Sequence, residues 1–329
     1  MEVLSPLRGD FDLIVRSLLS GQTRLGGMMM IKILATDGIE SSAANALTDL
    51  GFEVVQQFYD EKELPSKAAE YDVIVVRSAT KIRKPVIDAA AAGKLKLIIR
   101  GGVGIDNIDA EYAKEKGIEV QNTPLASSDS VAELVIAHIF SLARFIYDAN
   151  VTMRAGKWEK KRYEGIELAG KTLGLIGMGR IGRQVAKKAS ALGMTVIYTD
   201  ITGHLPLNNP FKFVSQDEIF AKADFISLHV PKTDAPIITE ETISKMKNGV
   251  YLINTARAQL VDTKALLKAL DSGKVAAAAL DVFDEEPLKD PAIYSHPKIS
   301  MTPHIGASTL EAQQRIGEDI VSIIASKFK

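Results

Sequence analysis

An arginine, a glutamate and a histidine stand in the second half of this 329-residue chain, each just past or beside a stretch that reads as a β-strand. Arg257 follows Val250–Asn254, Glu286 follows Ala277–Val282, and His304 lies in Pro303-His304-Ile305-Gly306 before the last helical segment. In open α/β sheets, ligands gather beyond the carboxyl ends of the strands, so the three could share one site. There the planar guanidinium of Arg257 would clamp a carboxylate. His304 would move a proton near neutral pH, and Glu286 would hold the imidazole and favour its charged form. Taken singly, each residue type is more often structural than chemical. The other histidines read more plainly. His138 lies in an apolar helix as a core residue, His204 and His296 sit in loops, and His229 closes a strand where it could line a cofactor site without moving a proton. No metal site is expected, because no H-x-x-x-H or H-E-x-x-H pair occurs and the acids Asp284–Glu286 have no histidine close in sequence.

The element that must position these residues is the stretch Leu173–Gly182, LGLIGMGRIG. An apolar strand ends in Gly177, Gly179 and Gly182. A helix follows, with Ile181, Val185, Ala189 and Leu192 near a 3.6-residue period, and a second strand, Met194–Thr199, ends at Asp200. This is the dinucleotide-binding order of strand, glycine turn, helix, strand and acid. The first glycine makes the turn, the second admits the pyrophosphate, and the third lets helix and strand pack closely. The helix N-terminus then meets the negative charge with free amides and its dipole.

Before that loop the chain already alternates strand and helix. Strands are expected at Ile31–Ala35, Phe52–Phe58, Asp72–Arg77 and Leu95–Arg100, with helices at Ser41–Leu50 and Pro85–Ala92. That pattern argues for a parallel sheet covered on both faces, a domain in its own right. Ser127–Tyr147 reads as one long buried helix crossing between domains. Arg154–Gly165, RAGKWEKKRYEG, reads as a solvated basic loop or as an arm reaching another subunit. After Asp200 come strands at Asp224–His229, Val250–Asn254 and Ala277–Val282, then a closing helix at Ser308–Phe328. The expected division is a substrate-binding domain of residues 31–127 plus 308–329 and a cofactor domain of residues 128–307. Residues 1–30 are read as an extension outside the fold, with the natural start at one of Met28, Met29 and Met30.

Composition fits this reading. The chain is 46% hydrophobic and 25% charged, with a formal net charge of −1, so nothing points to a nucleic-acid or membrane partner. No apolar run reaches the roughly 18 residues of a membrane span. The absence of cysteine removes thiolate chemistry and disulfides and fits a cytoplasmic setting.

Across nearly its whole length, from Ile31 onward, the chain resembles the D-isomer-specific 2-hydroxyacid dehydrogenases. The resemblance rests on RGGVGIDNID (Arg100–Asp109), SVAEL (Ser130–Leu134), LGLIGMGRIG, HVP (His229–Pro231), NTARAQLVD (Asn254–Asp262), ALDVFDEEP (Ala279–Pro287) and TPHIGAST (Thr302–Thr309), in the family's order. It implies a Rossmann NAD-binding domain inserted in a flavodoxin-like substrate domain, both doubly wound α/β. It also implies that Arg257, Glu286 and His304 are the catalytic residues. Gly177, Gly179 and Gly182 would pass the pyrophosphate, with Arg180 and Ile181 giving backbone contacts. Asp200 would take the adenosine ribose, His229, Val230 and Pro231 would run along the adenosine half, and Thr255 and Asp281 would border the nicotinamide. Val103 and Gly104 would offer amides to the substrate carboxylate, with Asn107 nearby, and Arg77 would meet a substrate phosphate, helped by Lys160 or its neighbours from a second subunit. NAD is expected over NADP because a 2′-phosphate would face Asp200, and no arginine follows it through His204.

Within the family, VVRSATK (Val75–Lys81) and GKWEKKRYEGIELAGKTLG (Gly156–Gly174) are similar to the branch that oxidises D-3-phosphoglycerate toward serine, in its short form without a C-terminal amino-acid-binding domain. A reductase for glyoxylate, hydroxypyruvate or another short 2-keto acid is the first alternative, and a dinucleotide-sensing corepressor the second. A homodimer through the NAD-binding domains is implied. One departure stands out: Ala258 and Gln259 replace the glycine pair that many relatives carry after the arginine.

Overall fold

The computed structural model describes residues 30–205 and 211–329. The reading of the N-terminal extension therefore lies outside the described residues, Met30 excepted. The chain divides into two compact units. One holds the described residues up to Ser127 together with Ser308–Lys329, and the other is Ser128–Ala307.

In the first unit, β1 (Lys32–Ala35), β2 (Glu53–Gln56), β3 (Val73–Val76), β4 (Leu97–Arg100) and β5 (Glu119–Asn122) form a parallel sheet in the order β2-β1-β3-β4-β5. This is the flavodoxin-like order, whose switch point lies between β1 and β3. Every residue of β3 is buried, as a parallel strand covered on both faces requires. Helices α1 (Ser41–Asp49), α2 (Leu64–Ala68), α3 (Lys84–Ala91) and α4 (Ala110–Glu115) make the crossovers. One face of the sheet buries Leu34, Ile74, Val76 and Ile98 against Leu64, Ile87 and Ala90.

The second unit opens with α5 (Ser128–Arg144) and α6 (Ile146–Arg154). The single long helix expected over Ser127–Tyr147 is thus two, bent by 65°. The break is at Phe145, whose backbone is left-handed at φ 54°. The Ile166 amide reaches back to the Ala143 carbonyl at 2.9 Å, capping α5 from outside, and the Phe145 ring packs on Tyr163 at 6.0 Å. No single described helix is long and apolar enough to cross a membrane. The segment Arg154–Gly165 is also more structured than a plain loop: α6 ends at Arg154, and Lys160–Arg162 form a 3₁₀ turn.

Strands β6 (Thr172–Ile176), β7 (Thr195–Thr199), β8 (Lys212–Phe213), β9 (Phe225–Leu228), β10 (Val250–Asn254), β11 (Val275–Leu280) and β12 (Ile299–Met301) form a parallel sheet in the order β12-β11-β10-β9-β6-β7-β8. Counted from β6, this is the Rossmann order with one further strand at the edge, and its switch point lies between β6 and β9. Successive residues alternate between two cores. Phe225 and Ile253 pack with residues of α5 and α7 (Arg180–Ala191), while Ile226 and Leu252 pack with residues of α8 (Gln216–Lys222), α9 (Glu240–Lys245) and α10 (Thr263–Ser272). After the short α11 (Pro291–Tyr294), α12 (Leu310–Phe328) belongs to the first unit. There Gly317 lets it lie close on α1, since a Cβ would come within 2.7 Å of the Ala43 Cβ.

Candidate active site

The glycine loop leaves β6 at the second unit's switch point. Gly177 has φ 98°, and a Cβ there would meet the His229 carbonyl at 2.5 Å. At Gly182 a Cβ would lie 2.3 Å from the Gly177 carbonyl, so the helix can approach the turn only without one. Gly179, the N-cap of α7, differs: nothing lies within 4 Å of its added Cβ, and no side chain caps the helix. The first and third glycines are demanded by the fold, while the second faces open space beside free helix amides. That space fits a pyrophosphate.

Asp200, at the end of β7, accepts the Met178 amide of this loop at 2.8 Å and both the amide and hydroxyl of Thr202 at 3.0 and 2.7 Å. Burial works to raise its pKa, but these donors and the Arg183 charge outweigh it, so the carboxyl titrates below the usual range. His229 bonds the Ser227 hydroxyl through Nε2 at 2.9 Å, and burial pushes its pKa down to about 4. It is a neutral side chain at working pH. Val230 and Pro231 follow directly. The hydroxyl of Thr255 is buried with no partner among the described residues, an orphaned donor of the sort a bound ligand satisfies.

Glu286 and His304, distant in sequence, meet. His304 Nδ1 and Glu286 Oε2 are 2.8 Å apart, and the Glu286 Oε1 accepts the Phe283 amide at 3.1 Å. Burial raises the Glu286 carboxyl, but the His304 bond and charge, the Phe283 amide and the nearby Arg257 charge together bring it below the usual range. Asn254 shapes the turn that presents Arg257, taking the Ala256 amide at 3.1 Å and donating to the Arg257 carbonyl at 2.8 Å. The Arg257 guanidinium bonds the Ala256 carbonyl at 2.6 Å. Ala258 and Gln259 sit in a 3₁₀ turn, and neither has positive φ, so the missing glycine pair demands no backbone strain here.

Asp281 does something the sequence did not announce. It is 1% exposed, and its oxygens accept the Thr302 hydroxyl at 2.6 Å and the amides of Ile305 and Gly306 at 2.8 and 2.9 Å. It braces the turn that carries His304.

In the first unit, β1 and β3 place Asp37 and Arg77 at the switch point. Asp37 accepts the amides of Arg77 and Thr80 at 2.6 and 3.1 Å and the Thr80 hydroxyl at 2.5 Å. Asn107 uses both amide protons on the carbonyls of Arg77 and Thr80, each at 2.7 Å, so it holds the Arg77 turn and keeps only its own oxygen free. The amides of Val103 and Gly104 have no acceptor among the described residues. The bracing roles of Asp37, Asn254 and Thr302 escaped the sequence reading, although an acid or amide at or just past a strand end, as Asp37 in ATDG and Asn254 in NTAR, is a signal for such a brace; Thr302 carries no such signal.

Residues 136–306 match the family model described as D-isomer specific 2-hydroxyacid dehydrogenase, NAD binding domain. The chain is 46% identical over 303 residues to the hydroxypyruvate reductase of Thermotoga maritima, covering 90% of this chain and 98% of that one. The chain belongs to the D-isomer-specific 2-hydroxyacid dehydrogenase family. It is also 46% identical over 305 residues to the D-3-phosphoglycerate dehydrogenase of Methanocaldococcus jannaschii, covering 91% of this chain and 57% of that protein's length. Among solved structures, a glyoxylate reductase from Paecilomyes thermophila superposes with a TM-score of 0.80 at 35% identity, covering 91% of this chain and 95% of that one. The chain is therefore an NAD-dependent oxidoreductase of D-2-hydroxyacids, and its second unit is the NAD-binding domain.

Proposed function

We propose that this dehydrogenase interconverts D-3-phosphoglycerate and 3-phosphohydroxypyruvate, with Arg257, Glu286 and His304 carrying the chemistry. NAD, held by the loop of residues 177–182 and by Asp200, would supply the hydride acceptor for C2. With Nδ1–H donated to Glu286, Nε2 of His304 is the nitrogen free to take the hydroxyl proton, and the Glu286 carboxylate stabilises the imidazolium that results. Arg257 holds the substrate carboxylate and the developing carbonyl oxygen, and the amides of Val103 and Gly104 add donors. The Asp200 carboxylate favours NAD by repelling a 2′-phosphate. The 2.8 Å pairing of His304 with Glu286 is the observation that carries the reaction.

The phosphate rests on Arg77. Its guanidinium forms no ion pair or hydrogen bond with any described residue, while Asp37 and Asn107 fix its backbone at a switch point, where ligands bind. A second reading, reduction of hydroxypyruvate or glyoxylate, is favoured by the match over 98% of the Thermotoga maritima protein. The two are separated by assaying 3-phosphohydroxypyruvate, hydroxypyruvate and glyoxylate with the parent and with Arg77→Ala. The phosphorylated acid should be preferred. Losing a charged hydrogen-bond donor, worth about 1.5–3 kcal/mol, should raise its KM roughly 10- to 100-fold and leave hydroxypyruvate unchanged. A parent that turns over hydroxypyruvate but not the phosphorylated acid ends the reading.

A homodimer through the NAD-binding units is proposed on similar grounds. No residue of α6 is buried within the chain, and Ile146, Tyr147, Met153 and Trp158 are all more than half exposed. Lys160 and Lys161 of the adjoining arm are exposed too. The cysteine-free composition supports a cytoplasmic setting.

A further inference from the structure

His138 is one of the few buried polar residues that the reaction does not use. It is 4% exposed, on the face of α5 that packs behind β11 and β12, and both its ring nitrogens have partners. Nε2 lies 3.1 Å from the Thr302 hydroxyl, and Nδ1 lies 3.3 Å from the Ser300 hydroxyl. The Thr302 hydroxyl has one proton, and it goes to Asp281 at 2.6 Å. Toward His138, therefore, Thr302 can only accept, so Nε2 carries the ring proton and Nδ1 accepts from Ser300. The chain of donation runs Ser300, His138, Thr302, Asp281. It ends on the carboxylate that also receives the Ile305 and Gly306 amides.

The turn held this way is unusual. His304 sits at φ 54°, a left-handed conformation that disfavours residues with a Cβ by roughly 1–2 kcal/mol. The bonds from Asp281 to both sides of it hold it there. Helix α5 supports the turn at both ends. His138 holds Thr302, and Val131, seven residues earlier and on the same helix face, lies so near Gly306 that a Cβ there would be 3.2 Å from its side chain.

We propose that His138 is a positioning residue for the proton transfer: through Thr302 and Asp281 it fixes the left-handed turn that aims His304 at Glu286. Burial lowers its pKa more than the Asp281 charge restores it, which keeps it in the neutral form the donation chain needs. The proposal rests on His304 as the proton carrier.

The test compares His138→Met, which fills the space without an N–H, with His138→Gln, whose amide can still donate to Thr302. The methionine variant should lose about tenfold in kcat with the KM for NADH within about twofold, because a small misplacement of the reacting group is costly. The glutamine variant should recover most of that loss. Unchanged kcat in the methionine variant overturns the proposal. So does an equal loss of turnover or folding in both variants, since bulk and not donation would then matter. If only the methionine variant fails to fold, Thr302→Val decides, because it removes the same bond from the other end, and an undiminished kcat there is equally fatal. His304→Asn is measured alongside. If it retains turnover, the reading of the site itself fails; if it is dead while the His138 variants are silent, only the present proposal does.

Discussion

Gly177 and His304 both stand in left-handed backbone, at φ 98° and 54°, near the carboxyl ends of strands in one sheet. In the glycine loop the conformation comes from what is missing. Side chains are absent where the His229 and Gly177 carbonyls press in, and the polar support is light: the Met178 amide bonds Asp200, the Met178 carbonyl accepts from Arg183, and the Gly177 amide bonds the Thr199 carbonyl. In the histidine turn the conformation is imposed on a residue that resists it, and Asp281, Thr302 and His138 form a buried polar network to hold it. A cofactor phosphate needs bare backbone, so the loop can be made of glycine. A proton carrier needs its side chain, so the turn cannot. On the proposed reading of the site, binding and chemistry are therefore supported by different materials and should fail separately.

The most severe break in that separation comes at His304. In His304→Asn the backbone keeps a residue that tolerates left-handed φ but has no basic nitrogen. Positioned proton transfer contributes typically ~10²–10⁴-fold, so kcat should fall by about that much while NADH affinity, read by fluorescence titration, stays within about twofold. A parallel loss of NADH binding would show that the two regions are not independent. On the other side, Gly182→Ala forces a Cβ to within 2.3 Å of a backbone carbonyl. Overpacking of this kind costs about 1–3 kcal/mol, so the melting temperature and NADH affinity should drop together. Gly179→Ala sharpens the contrast. With nothing within 4 Å to strike, it should leave the melting temperature alone and weaken NADH only. Unaltered NADH binding in that variant would remove the pyrophosphate from the loop.

The difference in materials also explains what could be read from sequence. Glycines at 177, 179 and 182 with Asp200 announce themselves, because a missing side chain at fixed spacing is a local signal. The central strands of both sheets were legible from apolar runs between turn residues, but the edge strands β5, β8 and β12 were not, being polar or only two or three residues long. Arg257 and Glu286 could be picked out as candidates because each follows an expected strand, and His304 because it precedes the last helix, but the brace behind His304 could not. His138 and Thr302 are 164 positions apart, and a buried histidine in an apolar helix looks like any core residue until its partners are known. The break at Phe145 was hidden for the same reason: the amide that caps α5 comes from Ile166, and nothing within Ser127–Tyr147 encodes it.

Asp281→Asn probes the brace itself. The replacement offers one acceptor oxygen where the carboxylate offered two to three donors, leaving a buried donor unmatched at about 1–3 kcal/mol. Stability and kcat should both fall, with the loss in kcat smaller than in His304→Asn. A variant that keeps full kcat would mean the left-handed turn needs no support. That would erase the distinction from the glycine loop.

The smallest effect is the pH dependence of the Glu286 contact, and its sign is the informative part. The folded-state carboxyl titrates below the ordinary value of 4.5: burial pushes it up, but the His304 bond and charge and the Phe283 amide prevail. A depressed carboxyl contributes stability above its unfolded pKa, and that contribution is lost as pH falls through the folded one. Both side chains are about a third exposed, 33% for His304 and 34% for Glu286, so solvent screens the pair and the contribution is modest. Urea midpoints of the parent and of Glu286→Gln should therefore differ slightly near neutral pH, and the gap should close as pH drops below about 4.5. A gap that opens toward acid would mean the carboxyl is protonated more readily in the folded chain. His304 would then face a neutral acid with no charge to stabilise its imidazolium, and the division of labour between loop and turn would lose its chemical half.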